Sequence, residues 1–563
     1  MSESVGPRAK NEELLVRGEK AWNALMEVSD NPRSTNESLI LKIIQDNKDT
    51  EYGKAHNFSD IHSIEDFKRI VPFSVFDDYA DLVFRELHGE KDLHSVYGVN
   101  QYNRSSGTMG NPKKIPMSKT SMEYFLDYTQ ACPYSVVKRL LGDAFMDGKI
   151  LSICEASGIS YVNGIRYCGV SGQMVQDWNY QLPEVCTAPG EASVPEPETN
   201  SRYLHARYGL SEKNVTCLDT KFMTFVLEMF KYISDNWQLI CDDIEKGTID
   251  ASIRMSDEVR KKLESELKPM PERAQELRKI FEEGFDNTIA KKIWPDLQFI
   301  HGVSTGTFSA YLKHLRDDYT GNVPALMRGI TASEGAFTIP FELDNPNSIP
   351  TANTIFFEFL PLDEDDPTKT LLIDEVQEGG EYEMIVTTFS GLYRYRTRDA
   401  IRITGHYRNL PTMEYLYRID QCVNLTGEKT YEPALRKTVD VAAQELGFKY
   451  TDFCVHPDSD SAPSKYVYYI EVIDPQPTLR CSAIAEIIQR ELMVVNPLMV
   501  TKFERNLIGP VEVHVLQEDT YLLYRDKQIL MGGASTQLKP VKIIMNEAQL
   551  RFFRILVEKE VAQ

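Results

Sequence analysis

Arg104-Ser-Ser-Gly-Thr-Met-Gly-Asn-Pro-Lys-Lys-Ile-Pro116 is the stretch on which the reading of this chain turns. Ser105, Ser106, Gly107, Thr108 and Gly110 bring backbone N–H groups and hydroxyls close to a polyanion. Lys113 and Lys114 add positive charge, and Pro112 stiffens the exit. A loop of this composition makes a concave nest for phosphate. It is not a Walker loop, because the lysines follow the hydroxyls and the Gly-x4-Gly-Lys-Ser/Thr spacing is missing. Ser-Gly-Thr alone would be an ordinary surface turn. The ten-residue pattern is what points to phosphate.

Composition sets the frame around that loop. At 563 residues the chain is too long for one ordinary domain, so a large domain with a smaller one is expected. The 42% of hydrophobic residues supply an extensive core. A formal charge of −22 argues against nucleic acid or an anionic membrane as partner, since both call for a basic face. No run approaches the roughly 18 apolar residues of a membrane span, and the opening MSESVGPRAKNEELL has no apolar signal core. Nine cysteines, scattered and without a C-x-x-C pair, read as reduced thiols of a cytoplasmic protein without a zinc site. Any metal is expected to be Mg²⁺ arriving with a nucleotide.

Periodicity divides the chain. Leu14, Leu15, Ala21, Trp22, Leu25 and Met26, then Leu39, Ile40, Ile43 and Ile44, recur at helical spacing. Helix-like pieces follow over 66–87, a strand over 149–153, a Pro- and Glu-rich loop over 186–200 and a long apolar helix over 218–244. A charged helical stretch spans 255–284, and strands are expected over 293–303, 381–388 and 392–405. Beyond Arg418 the pattern changes. Pro433 opens a helix that Gly447 stops, strands fall at 449–455 and 465–473, a helix at 483–495 and a strand at 511–516. The expected organisation is a large domain over 1–420, a hinge over 421–428 and a small α+β domain over 429–563.

Four further motifs carry chemistry. Ile330-Thr-Ala-Ser-Glu-Gly335 sets a carboxylate beside a hydroxyl, a combination able to hold Mg²⁺ against ATP oxygens. Gly391-Leu-Tyr-Arg-Tyr-Arg-Thr-Arg-Asp399 crowds three arginines on a strand that ends in an acid, and such an acid accepts both hydroxyls of a ribose. Alternation would put Arg394 and Arg396 on one face. Arg418, with Glu428-Lys429-Thr430, places cations at the hinge. Gly532-Gly-Ala-Ser-Thr-Gln-Leu-Lys539 offers a flexible glycine pair and a lysine. Each alone has a bland reading: a turn, an edge strand, hinge charges, a surface lysine. A rival, Gly302-Val-Ser304-Thr-Gly306, fits the nucleophile elbow of a serine hydrolase, with His406, His456 or His514 as base. It leaves the 105–114 loop unexplained.

Taken in order, these pieces resemble the Gretchen Hagen family of acyl-acid amido synthetases, over nearly the whole chain. The resemblance extends to stretches without chemistry, including 237–250, Ile293-Trp294-Pro295 and Phe357-Glu-Phe-Leu-Pro361. Val386-Thr-Thr-Phe-Ser-Gly-Leu-Tyr-Arg-Tyr-Arg396 is its most specific match. It implies a mixed α/β, adenylate-forming (luciferase-like) fold with a mobile C-terminal domain. It also implies ATP and Mg²⁺ as cofactors, and a small-molecule carboxylic acid and an amino acid as substrates, joined through an acyl-adenylate by a monomer. An acyl- or aryl-CoA ligase sharing the adenylation step is the alternative.

By the same resemblance Ser105, Ser106, Thr108 and Lys113 touch phosphate. Thr331 and Ser333 line the nucleotide, and Glu334 holds Mg²⁺. Phe356 stacks on adenine, Asp399 takes the ribose, and Arg418 and Lys429 meet ribose or phosphate. Lys539 swings in to stabilise adenylation. Departures accompany the match. The phosphate loop is one residue short, with Met109 in place of serine; Phe356 replaces a tyrosine; and Arg398 stands where glycine is favoured. The acyl pocket is expected between the 123–141 helix and the 157–181 region.

Overall fold

A computed structural model describes residues 6–105, 113–153, 159–170, 182–193, 200–305, 308–419, 421–473, 478–531 and 538–558. Two compact units meet in sequence between Tyr415 and Leu416.

In the first unit, sequence pattern becomes three larger sheets and one two-stranded hairpin among the described residues. Lys149–Ile153, Val215–Phe222, Phe299–Val303 and Ala325–Met327 form a parallel sheet in that order. Their near-continuous apolar character is what burial on both faces demands. The long helix Met223–Lys246 buries Phe225, Val226, Met229, Phe230 and Ile233, and ends at Gly247 with φ of +71°. The expected helix over 218–244 is therefore corrected at its start. Strand Val215–Phe222 runs straight into the helix with no glycine or proline between them. The charged stretch 255–284 is two helices, Asp257–Glu266 and Pro271–Glu282, because Pro269 cannot continue the first. Of the strand expected over 293–303, only Phe299–Val303 is extended, and Ile289–Ile293 is helical.

A six-stranded sheet runs in the order Thr338–Pro340, Ser348–Pro350, Leu410–Arg418, Tyr395–Tyr407, Glu381–Thr388, Ile355–Pro361. Helix Pro32–Asn47 pins its last strand through buried Asn36. Asn36 Nδ2 donates to the carbonyls of Ala352 and Ile355 at 3.0 and 2.8 Å, and Oδ1 accepts the Phe357 N–H at 3.1 Å.

The third sheet, in the order Lys114–Met117, Gln101–Arg104, Ile165–Cys168, Ser160–Val162, carries the quoted loop between its first two strands. Beside it the chain 119–141 is helical in two parts, Lys119–Leu126 and Cys132–Leu141, joined by a wide turn over Asp127–Ala131. Helix Pro7–Val28 lies so close to that turn that a Cβ on Gly18 would fall 2.1 Å from the Ala131 carbonyl oxygen.

The second unit has its own core around Val439, Phe453, Tyr468, Ile470 and Ile488. Helix Glu432–Leu446 starts at Pro433 and is capped by Gly447 at φ +70°. Strands Lys449–Asp458 and Lys465–Ile473 are antiparallel, and Glu512–Leu516 adds in parallel. Helix Cys481–Val495 packs on Glu432–Leu446. Cys422–Val423 pairs with Thr430–Tyr431, so residues 422–431 form a hairpin of this unit. No helix among the described residues is long and apolar enough to cross a membrane.

Candidate active site

The neck of the 104–114 loop is closed by its own residues. Arg104 pairs with Lys114, the Ser105 N–H donates to the Lys113 carbonyl at 3.1 Å, and Ser105 Oγ accepts the Lys113 N–H at 3.0 Å. The Ser105 hydroxyl thereby holds the loop while its own proton is still a donor. Lys113 Nζ lies 5.9 Å from the centre of the Phe76 ring. Ser106 and Thr108, like Met109, lie outside the described residues.

Thr331–Ala332 and Gly335–Ala336 form a two-residue hairpin whose tip is Ser333-Glu334. The tip is fastened to the loop's entry strand, since buried Asn103 donates Nδ2–H to the Ser333 carbonyl at 2.7 Å. Two motifs 230 residues apart in sequence thus meet. Sequence reasoning passed over Asn103, although it stands one residue before the quoted stretch and is the polar residue of a buried strand.

A cavity opens beside this junction. Tyr124 and Phe125 wall one side, Glu334 to Ala336 another, and Ile355 and Thr388 a third. The start of the helix is held by serines. Ser118 Oγ accepts the Ser121 N–H at 3.1 Å, and Ser390 Oγ accepts the Ser118 N–H at 3.0 Å. Ile355 and Thr388 are a cross-strand pair, so both face the cavity, and the next pair, Phe356 with Thr387, faces away. Phe356, expected to stack on adenine, does not line this cavity. Its ring is fully buried and stands edge-on to Phe67 at 5.8 Å.

Glu334 is a single carboxylate at a hairpin tip, and the described residues hold no group of three or more potential metal-ligating His, Cys, Asp and Glu side chains. This donor set fits Mg²⁺, which takes one or two carboxylates and completes its shell with phosphate and water. It does not form an all-protein cage.

The arginine cluster divides by role. Arg394 is wholly buried with φ of +46°, which breaks the expected alternation before the strand begins at Tyr395. Its guanidinium donates to both Glu358 oxygens at 3.0 and 2.8 Å and to the carbonyls of Lys68 and Val71. It is a structural cation. Arg396 donates Nη2–H to buried Glu383 at 2.5 Å. Arg398, at φ +61°, sits where the register with the neighbouring strand shifts. Asp399 is 6% exposed, and its N–H donates to Thr397 Oγ1 at 3.2 Å.

The serine-hydrolase reading fails on geometry. Ser304 Oγ is buried and makes no hydrogen bond among the described residues, so no imidazole takes its proton.

Arg418, Lys429 and Lys539 belong to the second unit. Lys429 is exposed, with φ of +45°, in the turn of the 422–431 hairpin. That turn is organised by buried Glu428, which accepts the N–H groups of Leu425 and Thr426 at 2.7 Å each and the Tyr466 hydroxyl at 2.7 Å. Burial would raise the Glu428 carboxyl, but these donors outweigh it and hold the group below its usual range. Lys539 is exposed, three residues before Lys542, whose ammonium is buried against Asp452.

Comparison with known proteins gives the following. Residues 21–325 match the GH3 family N-terminal domain, 348–418 its central domain and 434–548 its C-terminal domain. The chain is 27% identical to an indole-3-acetic acid-amido synthetase, GH3.3, of Arabidopsis thaliana, over 92% of this chain and 91% of that one. It is 25% identical to the 4-substituted benzoates-glutamate ligase GH3.12 of the same plant, over 95% and 96%. It is 24% identical to a jasmonoyl-L-amino acid synthetase of Oryza sativa subsp. japonica, over 92% and 93%. Among solved structures, the GH3.15 acyl acid amido synthetase superposes with a TM-score of 0.84 at 24% identity, covering 95% of this chain and 96% of that one. A 2-hydroxyisobutyryl-CoA ligase in its postadenylation state reaches 0.50 at 10% identity, covering 98% and 93%.

Proposed function

The chain belongs to the GH3 family, and on that premise we propose that it is an ATP-dependent acyl acid amido synthetase joining a carboxylic acid to an amino acid. The observation that carries this reading is the Asn103–Ser333 contact. It fastens the neck of a Ser/Gly/Lys loop to a hairpin bearing a carboxylate, beside a cavity walled by aromatic rings.

In the first half-reaction an oxygen of the substrate carboxylate attacks the α-phosphorus of ATP. The bond to the β-phosphate oxygen breaks, and pyrophosphate leaves with its electron pair. Negative charge grows on the phosphoryl oxygens, so the chemistry calls for fixed donors and cations and for no protein nucleophile. The N–H groups and hydroxyls of the 105–113 loop, with Lys113, supply those donors. Glu334 holds Mg²⁺, whose chemistry is to neutralise phosphate charge. Asp399 accepts ribose hydroxyls, and Arg418 and Lys429 bind ribose or phosphate. In the second half-reaction the amine nitrogen attacks the acyl carbon, AMP departs, and the nitrogen gives its proton to solvent. Lys539 serves the first step, and the second unit turns about the 421–428 hinge between steps.

No disulfide joins the described cysteines, which supports a reducing, cytoplasmic setting. The test is acid-dependent pyrophosphate release with hydroxylamine trapping over a panel of carboxylic acids. A panel of amino acids and coenzyme A, read by mass spectrometry, follows. An amide with one or a few amino acids is expected. A thioester in place of an amide would reassign the acceptor, and no acid-dependent pyrophosphate would overturn the reading altogether.

A further inference from the structure

A second cavity lies deeper, between the 132–141 helix and the face of the parallel sheet. Its walls are largely apolar, with Phe145 and Phe299 among them, and its polar groups come from Gln130, Tyr134, Asp219 and His301. It measures about 30 Å³.

The polar end of this cavity is fully determined. Asp219 Oδ1 takes a hydrogen bond from His301 Nδ1 at 2.9 Å and another from Arg328 Nη2 at 2.6 Å. Arg328 also donates to the Thr220 carbonyl at 3.0 Å and to the Thr129 carbonyl at 2.9 Å. Pro133 explains the last bond. It has no N–H for the oxygen four residues back, so Thr129 is left for the guanidinium. Burial raises the Asp219 carboxyl, but Arg328 and His301 prevail and keep it ionised; burial pushes the His301 imidazole down to about 4. An ionised acceptor on Nδ1 fixes the ring proton there. Nε2 is then a bare acceptor. It has no partner among the described residues, on a side chain 8% exposed that lines the cavity.

Because Arg328 neutralises Asp219, this end attracts neither an anion nor a cation. It suits one neutral donor. One helical stretch lines both cavities: Phe125, near the end of helix Lys119–Leu126, lines the Glu334 cavity, and Gln130, in the wide turn that follows, lines this one. Arg328 itself stands three residues before Thr331.

We propose that this cavity is the far end of the acyl site, and that His301 Nε2 selects carboxylic acids carrying a hydroxyl or N–H on the apolar end remote from the carboxylate. The inference rests on the acyl acid amido synthetase reading above. Its probes are pairs of 4-hydroxyphenyl and phenyl acids built on acetic, propionic and butyric acid, followed by pyrophosphate release.

For at least one chain length the hydroxy acid should lead by about tenfold in kcat/KM, mostly through KM, as one net hydrogen bond allows. In His301→Leu that ratio should fall below about twofold. His301→Phe keeps a ring in that place and removes the acceptor, so the hydroxy acid should lose its lead there too while the phenyl acid keeps its kcat/KM. A structural role alone would lower both acids alike. Equal kcat/KM within every wild-type pair would mean the cavity holds an ordered water only and would overturn the proposal. So would a hydroxyl preference that persists in His301→Leu. If that variant does not fold, the His301→Phe ratio decides in its place, and a hydroxyl preference that persists there sinks the idea. Should none of these acids, nor any in the wider panel, release pyrophosphate, the parent reading fails instead.

Discussion

Arg398 and Arg394 both hold left-handed backbone, at φ +61° and +46°, and the two positions carry opposite consequences. Arg398 lies at the register shift opposite Glu383. Its N–H donates to Glu383 Oε1 at 3.3 Å, and its guanidinium stands 3.9 Å from Oε2. Glu383 keeps Arg396 whatever happens to the Arg398 side chain. A glycine would relieve the backbone and leave the Arg396–Glu383 pair in place. Arg398→Gly should therefore gain about 0.5–1 kcal/mol, read as a higher urea midpoint, and β-branched Arg398→Val should lose about 2 kcal/mol. Equal effects of the two changes would refute strain as the cause. At Arg394 the side chain governs instead. Arg394→Met strands the Glu358 carboxylate in the core with only Thr370 Oγ1 as a donor at 2.6 Å. A loss of about 3–5 kcal/mol is expected by urea unfolding. A loss under 1 kcal/mol would show that Glu358 finds another partner or a proton.

Between elements, single side chains do the fastening. Asn103 ties the 101–104 strand to the 331–336 hairpin, so Asn103→Ala should raise KM for ATP about tenfold while the protein stays folded by circular dichroism. An unchanged KM would mean the two motifs do not act together. In the second unit, Glu471 closes the start of helix Thr520–Leu530 by accepting the N–H groups of Asp519 and Tyr521 at 3.1 and 2.9 Å. Burial, with like-charged Asp452 nearby, raises its carboxyl to about 7. The native state then holds a proton that the unfolded chain releases near pH 4.5. Its contribution is complete below that pH and fades as pH rises to 7, by up to about 3 kcal/mol. Glu471→Gln should remove this slope, so the variant gains on wild type in urea midpoint between pH 5 and pH 8. A difference independent of pH would rule Glu471 out. Elements with local signals were legible in sequence: Pro433 and Gly447 bracket a helix, and the apolar run inside Glu381–Thr388 reads as a strand buried on both faces. The passage from strand 215–222 into helix 223–246 was not, because continuous apolar residues fit both.

At the scale of the whole molecule, the sequence exposed the groups proposed to bear on phosphate and hid those that hold them. Glu334 and the 104–116 loop announce themselves by composition. Arg328 and Asn103 do not, since their partners Asp219 and Ser333 lie 109 and 230 residues away. Residue type is visible in sequence and facing is not: beside Phe356, one step along the strand, it is Ile355 that takes the cavity. Lys539 is the residue on which the proposed two-step chemistry turns. Its segment has little regular structure yet is anchored. Lys542 is buried against Asp452, the Val455 N–H donates to the Lys542 carbonyl, and the Ile544 N–H donates to the Val455 carbonyl, each at 2.9 Å. Truncating exposed Lys539 therefore leaves that strap in place, and any loss is one of charge. Adenylation builds charge on phosphorus, where an ammonium helps. Amide formation expels AMP from carbon, where it does not. Lys539→Ala should slow pyrophosphate release by roughly 10²–10³ and amide formation from preformed acyl-adenylate by less than about fivefold. Equal slowing of both half-reactions would remove Lys539 from the adenylation step.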